Sequence, residues 1–283
     1  YPIKFQLHGL GFHFGYNGGI HWIKTLSALR LRTFLQEVKN LPVDNYDLVV
    51  SDFEPVSAWA CQANQKKCIG LSNQAGLVLS KKLLKKSDNL VGKLLLSQYA
   101  PCTKLMGLAF RPTKKRHYYP PIKSALQGVN PSTKGNYLVY LPSYKDEKLI
   151  RYFSALDASF TIFSKRAKEV RVSDNVRIEP INNSTFNTAL IHAKGIISAA
   201  GFGTCSEGCF LQKKMLLIPQ KHQFEQELNA KLLKKMGATV LPNLKKKHLP
   251  RVQDWLVSGT AINCEPWDDP TPSIVAALLQ EAQ

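Results

Sequence analysis

Thr204 and Glu207 stand three residues apart, just after a glycine turn, Gly201-Phe202-Gly203. A carboxylate so placed can accept two charge-assisted hydrogen bonds from a vicinal diol such as a ribose. Glycines opening a helix leave backbone N–H groups, with their share of the helix dipole, facing a phosphate. The same spacing fits a capping box, in which Thr204 caps the helix and Glu207 bonds back to its start. Further on, Gln223 and Gln226 follow an apolar run that ends at Pro219, and His222 precedes them. Neutral amides there can donate and accept toward sugar hydroxyls without placing charge beside a pyrophosphate. The plainer reading is a polar first turn of a helix whose core stripe is Phe224, Leu228 and Leu232.

A second set of polar residues lies near the start of the chain. Asp52 and Glu54 form a D-x-E pair, superficially like a divalent-cation site. Asp52 is as readily an N-cap, with Pro55 in the first turn that follows. At the end of a short apolar run it is also a candidate base. His8, His13 and His21 are other candidates, near the glycines Gly9, Gly11, Gly15, Gly18 and Gly19.

These side chains need elements to hold them. Ile196 to Ser198 reads as a strand, the residues from Thr204 as a helix, Met215 to Pro219 as a strand, and the residues up to Lys235 as a second helix. The glycine turn then lies at the carboxyl end of a strand, where open parallel sheets bind ligands. Strands at Leu48–Val50, Cys68–Leu71 and Leu105–Phe110 precede it, with a loosely alternating Ile3–Phe14 and helices at Trp22–Lys39 and Val56–Ala63. Arg111 to Gly135, rich in Pro, Lys and Gly, reads as a linker. The pattern restarts with strands at Tyr137–Leu141, Ser159–Phe163 and Val176–Ile178 and helices at Asp146–Leu156 and Thr185–Ala193. A strand at Ala238–Leu241 and helices at Leu249–Val257 and Ser273–Glu281 close the chain. Repeated β-α-β units predict an α/β protein of two Rossmann-like parallel-sheet domains.

The run Gly201/Gly203, Glu207, Pro219, Gln223/Gln226 and Asn229-Ala230 resembles the donor half of GT-B glycosyltransferases. The likeness is to the group of the lipid-linked N-acetylglucosaminyltransferase of peptidoglycan synthesis. Asp47 to Pro55 looks like the equivalent strand end of a poorly characterised prokaryotic branch of that group. The resemblance implies two domains facing across a cleft: residues 1–113 on the acceptor side, with 266–283 crossing back, and 114–265 binding the nucleotide sugar. It implies that Gly201, Gly203 and Thr204 meet the diphosphate, Glu207 the ribose, and Gln223, Gln226 and His222 the sugar. It further implies an inverting, metal-independent transfer from a UDP-sugar with no cofactor, and leaves Asp52 and His13 as candidate bases. The family's opening strand, glycine loop and first helix have no counterpart before Tyr1, so the N-terminal domain is expected to lack that unit. A non-catalytic nucleotide-sugar binding module and a sugar-nucleotide epimerase remain open alternatives.

Charge points to anionic partners. The 283 residues carry a net charge of +18, and between Pro55 and Lys145 fifteen Lys and Arg face a single acid, Asp88. Such a segment suits lipid headgroups or a lipid-phosphate acceptor. Leu77 to Lys86 alternates leucines and lysines like an amphipathic helix for an anionic membrane surface. No recognition motif accompanies Tyr118 and Tyr119, so nucleic acid is not the expected partner. With no run near the ~20 apolar residues of a membrane span, the expectation is a cytoplasmic protein, compatible with a peripheral place on the membrane's cytoplasmic face. The six cysteines lack C-x-x-C pairing and are expected to be reduced thiols. Cys205 and Cys209, four apart, read as a core stripe.

Overall fold

A computed structural model describes residues 3, 5–10, 30–85 and 87–282. They form two compact units, one of the described residues up to Pro121 with those from Asp269 onward, the other Ile122–Asp268.

The first unit is built on a parallel sheet, β1 (Val49–Ser51), β2 (Cys68–Ser72), β3 (Lys104–Leu108) and β4 (His117–Tyr118), in that spatial order. Its helices are α1 (Leu31–Asn40), α2 (Pro55–Ala63), α3 (Asn73–Leu79), α4 (Lys81–Lys85) and α5 (Leu90–Gln98). Helix α3 rests directly on β3, because Gly76 meets Gly107: a Cβ on Gly107 would come within 2.4 Å of the Gly76 Cα. The terminal helix, Thr271–Ala282, packs Ile274 against Ile69 and Met106, and its Glu281 pairs with Lys104.

Several expectations change here. Of Ile3–Phe14, the described residues form no strand; His8 instead uses its backbone N–H and Nδ1 on Glu37 Oε1, both at 2.8 Å. His13 and His21 lie outside the described residues, as does the first part of the helix expected from Trp22. Glu54, not Asp52, caps α2: its two oxygens accept from the N–H groups of Val56 and Ser57, each at 2.7 Å, with Pro55 in the first turn. The Leu77–Lys86 stretch is not one amphipathic helix. It breaks at Ser80, Leu77 is buried at the end of α3, and the lysines Lys81, Lys82 and Lys85 are exposed on α4. The large exposed apolar side chains nearby, Leu90, Val91 and Leu94, sit on α5. The expected linker also carries structure, since His117–Tyr118 adds β4 to the sheet and Leu126 is fully buried.

The second unit holds seven strands: β5 (Tyr137–Tyr140), β6 (Phe160–Ser164), β7 (Arg171–Ser173), β8 (Val176–Pro180), β9 (Ile196–Ser198), β10 (Met215–Leu217) and β11 (Thr239–Val240). Between them run α6 (Asp146–Phe153), α7 (Asn183–His192), α8 (Phe202–Phe210) and α9 (Phe224–Lys235), with α10 (Leu249–Ser258) after β11. The spatial order is β11-β10-β9-β5-β6-β8-β7, parallel except for β7, which pairs antiparallel with β8. Residues such as Val139, Phe160, Ile162, Ile178, Ile197 and Leu216 fill the core under the helices. From β5 the chain first steps outward through β6 to β8 and then returns to lay β9, β10 and β11 on the other side. The reversal lies between β5 and β9. In open parallel sheets a reversal of this kind is where ligands bind, outside the carboxyl ends of the strands.

Lys213 supports this arrangement from below. It is 3% exposed, and its ammonium donates to the carbonyls of Ser132 and Ile191 (2.6 Å each) and of Ala193 (3.0 Å). Burial pulls its pKa down to about 8.

Candidate functional site

The chain leaves β9 at the reversal point, crosses Ala199 and Ala200, and starts α8 at Phe202 with Gly201 as N-cap. The helix therefore begins two residues before Thr204, so Thr204 is no N-cap and the capping-box reading falls. No side chain caps α8. Its first-turn N–H groups thus keep their partial positive charge for a ligand.

Neither glycine is demanded by backbone strain or by packing among the described residues. Gly201 has φ −70°, open to any residue, and a Cβ at Gly201 or Gly203 would meet no atom of the described residues within 4 Å. Glycine lets another molecule approach the backbone closely, and that use remains at a helix start beside a switch point.

Glu207, one turn further, points inward and is 7% exposed. Its Oε1 pairs with Lys123 Nζ at 2.8 Å, and that ammonium also lies 5.9 Å from the Phe186 ring centre. Lys123 went unnoticed in the sequence, and its partner is 84 positions away, so no local pattern could have flagged it. Cys205 and Cys209, on the opposite side of the same helix, are fully buried and anchor α8 to the core.

Helix α9 brings the glutamines to the same strand ends. Asn229 is fully buried and donates through Nδ2 to the Ala200 carbonyl at 3.2 Å, which ties α9 to the approach to the glycine turn. Gln226, one turn earlier on that face, is 7% exposed; its Oε1 accepts the Gln220 N–H at 2.9 Å. Its amide nitrogen makes no hydrogen bond among the described residues. The plainer expectation of an exposed polar turn does not hold for Gln226. Gln223 is the N-cap of α9, and its buried Oε1 has no partner among the described residues. His222 stands apart, exposed in the preceding turn with φ +65°.

In the first unit, Asp52 follows β1 and makes no hydrogen bond or ion pair among the described residues. It reaches solvent, yet enough protein surrounds the carboxyl that desolvation raises its pKa above the ordinary value. Among the described residues no cluster of His, Cys, Asp and Glu could hold a metal ion, and Glu54 is occupied by its cap.

The chemical capacity is clear: uncapped helix N–H groups for a diphosphate, a carboxylate for a diol, and amides for hydroxyls. Residues 23–258 match the model of the family described as "Glycosyl transferase family 1". None of the curated proteins matches the sequence. Among solved structures, the chain is similar to MurG of Acinetobacter baumannii at 13% identity and a TM-score of 0.58, covering 98% of this chain and 84% of that one. It is also similar to Arabidopsis thaliana UGT89C1 complexed with UDP, at 11% identity and a TM-score of 0.50, covering 95% and 81%. A glycosyltransferase of kitacinnamycin shows 14% identity, a TM-score of 0.50 and coverage of 89% and 78%. These likenesses show the fold, α/β with two Rossmann-like units as in GT-B proteins. With five-sixths of its length matched by the family model, the chain belongs to glycosyl transferase family 1.

Proposed function

We propose that this protein moves a sugar from a nucleotide diphosphate, UDP being the expected nucleotide, onto a lipid-linked or otherwise anionic acceptor. The observation that carries the reading is the uncapped start of α8, with two glycines whose missing side chains serve no protein contact. In this reading the diphosphate sits on the N–H groups of Gly203 and Thr204, Glu207 takes the ribose hydroxyls, and Gln223 and Gln226 take the sugar. As the glycosidic bond breaks, charge builds on the departing diphosphate, where fixed N–H dipoles stabilise it without reorganising. The acceptor hydroxyl gives up its proton to a base and attacks from the opposite face, so the anomeric centre inverts. We assign that base to Asp52. It has no partner among the described residues, and desolvation raises its pKa above the ordinary value, which strengthens it as a base. Asp52→Asn should then abolish transfer in a product assay and leave UDP binding unchanged; full activity in that variant would remove Asp52 from the role. Neutralisation by helix N–H groups needs no resident metal or cofactor.

The spacing of Glu207, Gln223, Gln226, Asn229 and Ala230 supports a place near the lipid-linked N-acetylglucosaminyltransferase group. For the acceptor side, α4 offers exposed Lys81, Lys82 and Lys85 and the next helix, α5, the exposed Leu90, Val91 and Leu94, residue types suited to an anionic lipid surface. Sedimentation with anionic vesicles at low and high salt checks this; binding that ignores lipid charge would exclude it.

Calorimetric titration with UDP, against ADP and GDP at about 0.3 M salt to screen exposed charges, tests the donor site. Saturable binding of UDP alone is the expected result, and failure of all three would overturn the assignment. Gly203→Ala sharpens the test. In a helical first turn alanine is favoured over glycine by up to about 1 kcal/mol, and here its methyl meets open space. The variant should melt no lower than the wild type while its UDP affinity falls roughly tenfold, the methyl standing where a phosphate must approach.

A further inference from the structure

Three thiols that the proposed reaction does not use gather in the first unit. Cys61 lies in the last turn of α2, Cys68 opens β2, and Cys102 stands two residues before β3. Cys61 and Cys68 are sealed from solvent, at 0% and 1% exposure, whereas Cys102 is half-buried. The Cys68 thiol donates to the Cys102 sulfur across 3.5 Å. The backbone around this pair is clamped, since Cys68 N–H donates to Thr103 Oγ1 (3.1 Å) and the Thr103 hydroxyl donates to the Cys68 carbonyl (2.7 Å).

Cys102 also has an approach. It lines a cavity of about 250 Å³ together with Phe53, Gly70, Ser72, Ala75 and Leu96. Gly70 makes room for the sulfur: a Cβ there would lie 3.2 Å from Cys102 Sγ and 3.0 Å from Leu105 Cδ2. A small reagent in the cavity meets Cys102 first, with Cys68 directly behind it. The hydrogen bond from Cys68 favours a thiolate at Cys102, whose pKa is lowered by it, and opposes one at Cys68, whose pKa is raised. A partly exposed thiolate backed by a resolving thiol is the arrangement of a peroxide-reactive cysteine.

We propose that Cys102 is an oxidation site for hydrogen peroxide or a small organic hydroperoxide, resolved by Cys68 as an intramolecular disulfide. The Cys102 thiolate attacks one peroxide oxygen, the O–O bond breaks, and a sulfenic acid forms as hydroxide leaves. That hydroxide takes the Cys68 proton as the Cys68 sulfur attacks the Cys102 sulfur. The S–O bond then breaks, and its oxygen departs as hydroxide and is protonated to water by the solvent. The two sulfurs together lose two electrons and the peroxide gains them, giving one disulfide and two waters from hydrogen peroxide, or one water and an alcohol from an organic hydroperoxide. The sulfurs must close from 3.5 Å to about 2.05 Å, which draws the Cys102 sulfur toward β2 and reshapes the cavity wall.

The experiment uses the full native chain, a few equivalents of hydrogen peroxide, thiol counting and peptide mapping by mass spectrometry. Two of the six free thiols should disappear with a mass loss of about 2 Da. The linked peptides should contain Cys68 and Cys102, and dithiothreitol should restore both thiols. With Cys68→Ser the reaction should stop at a Cys102 sulfenic acid that dimedone captures. The wild-type mapping stands even if that variant folds poorly. Six thiols surviving on the native chain, or a bridge that joins Cys61 instead, would overturn the proposal.

Discussion

Replacing Glu207 with alanine should weaken UDP binding about 100-fold, since two charge-assisted hydrogen bonds to a ribose are together worth roughly 3 kcal/mol. Glu207 is 7% exposed, so its environment is dry enough for those bonds to count, and α8 holds it one turn from the uncapped N–H groups. The Lys123 ammonium occupies only Oε1, which leaves Oε2 to accept from the ligand. Glu207→Ala also frees that ammonium, so a control is needed. Lys123→Met keeps the carboxylate and loses the ion pair; its UDP affinity should change far less than that of Glu207→Ala. Parallel titrations with uridine separate ribose contact from charge, because uridine has the diol and no phosphate. If Glu207→Ala and Gln226→Ala both bind UDP like the wild type, the donor site lies elsewhere.

Lys213→Met should lower the stability of the second unit by about 3 kcal/mol, a fall of roughly 6–12 °C in melting temperature for a unit of this size. The methionine fits a similar volume, but the buried Ala193 carbonyl and the half-buried Ser132 carbonyl lose the ammonium. Ile191 retains a partner in the Ser132 N–H at 3.0 Å. The pH dependence of the same pair of proteins gives an independent check. Lys213 is pulled from 10.5 to about 8 by burial, so between those values the unfolded chain binds more protons than the folded one. Through this group, stability therefore rises with pH from about 8 to about 10.5, by roughly 3 kcal/mol in all. Chemical denaturation of wild type and variant across that range should show the extra slope only in the wild type. Equal slopes would mean that the three carbonyls keep the lysine charged at its ordinary value.

Much of the second unit could be read from the chain alone. Its central strands are buried on both faces, so β5, β6, β9 and β10 appear as short unbroken apolar runs that few other structures fit. The glycine turn and the two glutamines sit at fixed distances from those runs, so their place just after strand ends could be read from the chain. Edge strand β7 left no such trace, because Arg171, Val172 and Ser173 are all exposed and only the pairing with β8 makes them a strand. The first residue of α8 was misjudged for a local reason: Thr204 and Glu207 mimic a capping box, while the actual N-cap, Gly201, has no side chain to signal itself. In the first unit, α5 was missed because its leucines are mostly exposed, with only Gly92 and Leu96 turned to the core.

By itself, the amino-acid sequence determined the fold class, the glycine turn at a strand's carboxyl end, and the residue types available to hold a nucleotide sugar. Periodicity and spacing are local properties, and they survive in one dimension. Tertiary structure alone decided which of those groups are free to act. It gave Glu54 to a helix cap and left Asp52 unpaired, set Lys123 on Glu207, buried Lys213 beneath three carbonyls, and brought Cys68 to Cys102 across 34 residues. The last three of these depend on partners distant in sequence, and a side chain's chemistry follows from the partners and the solvent that folding leaves it.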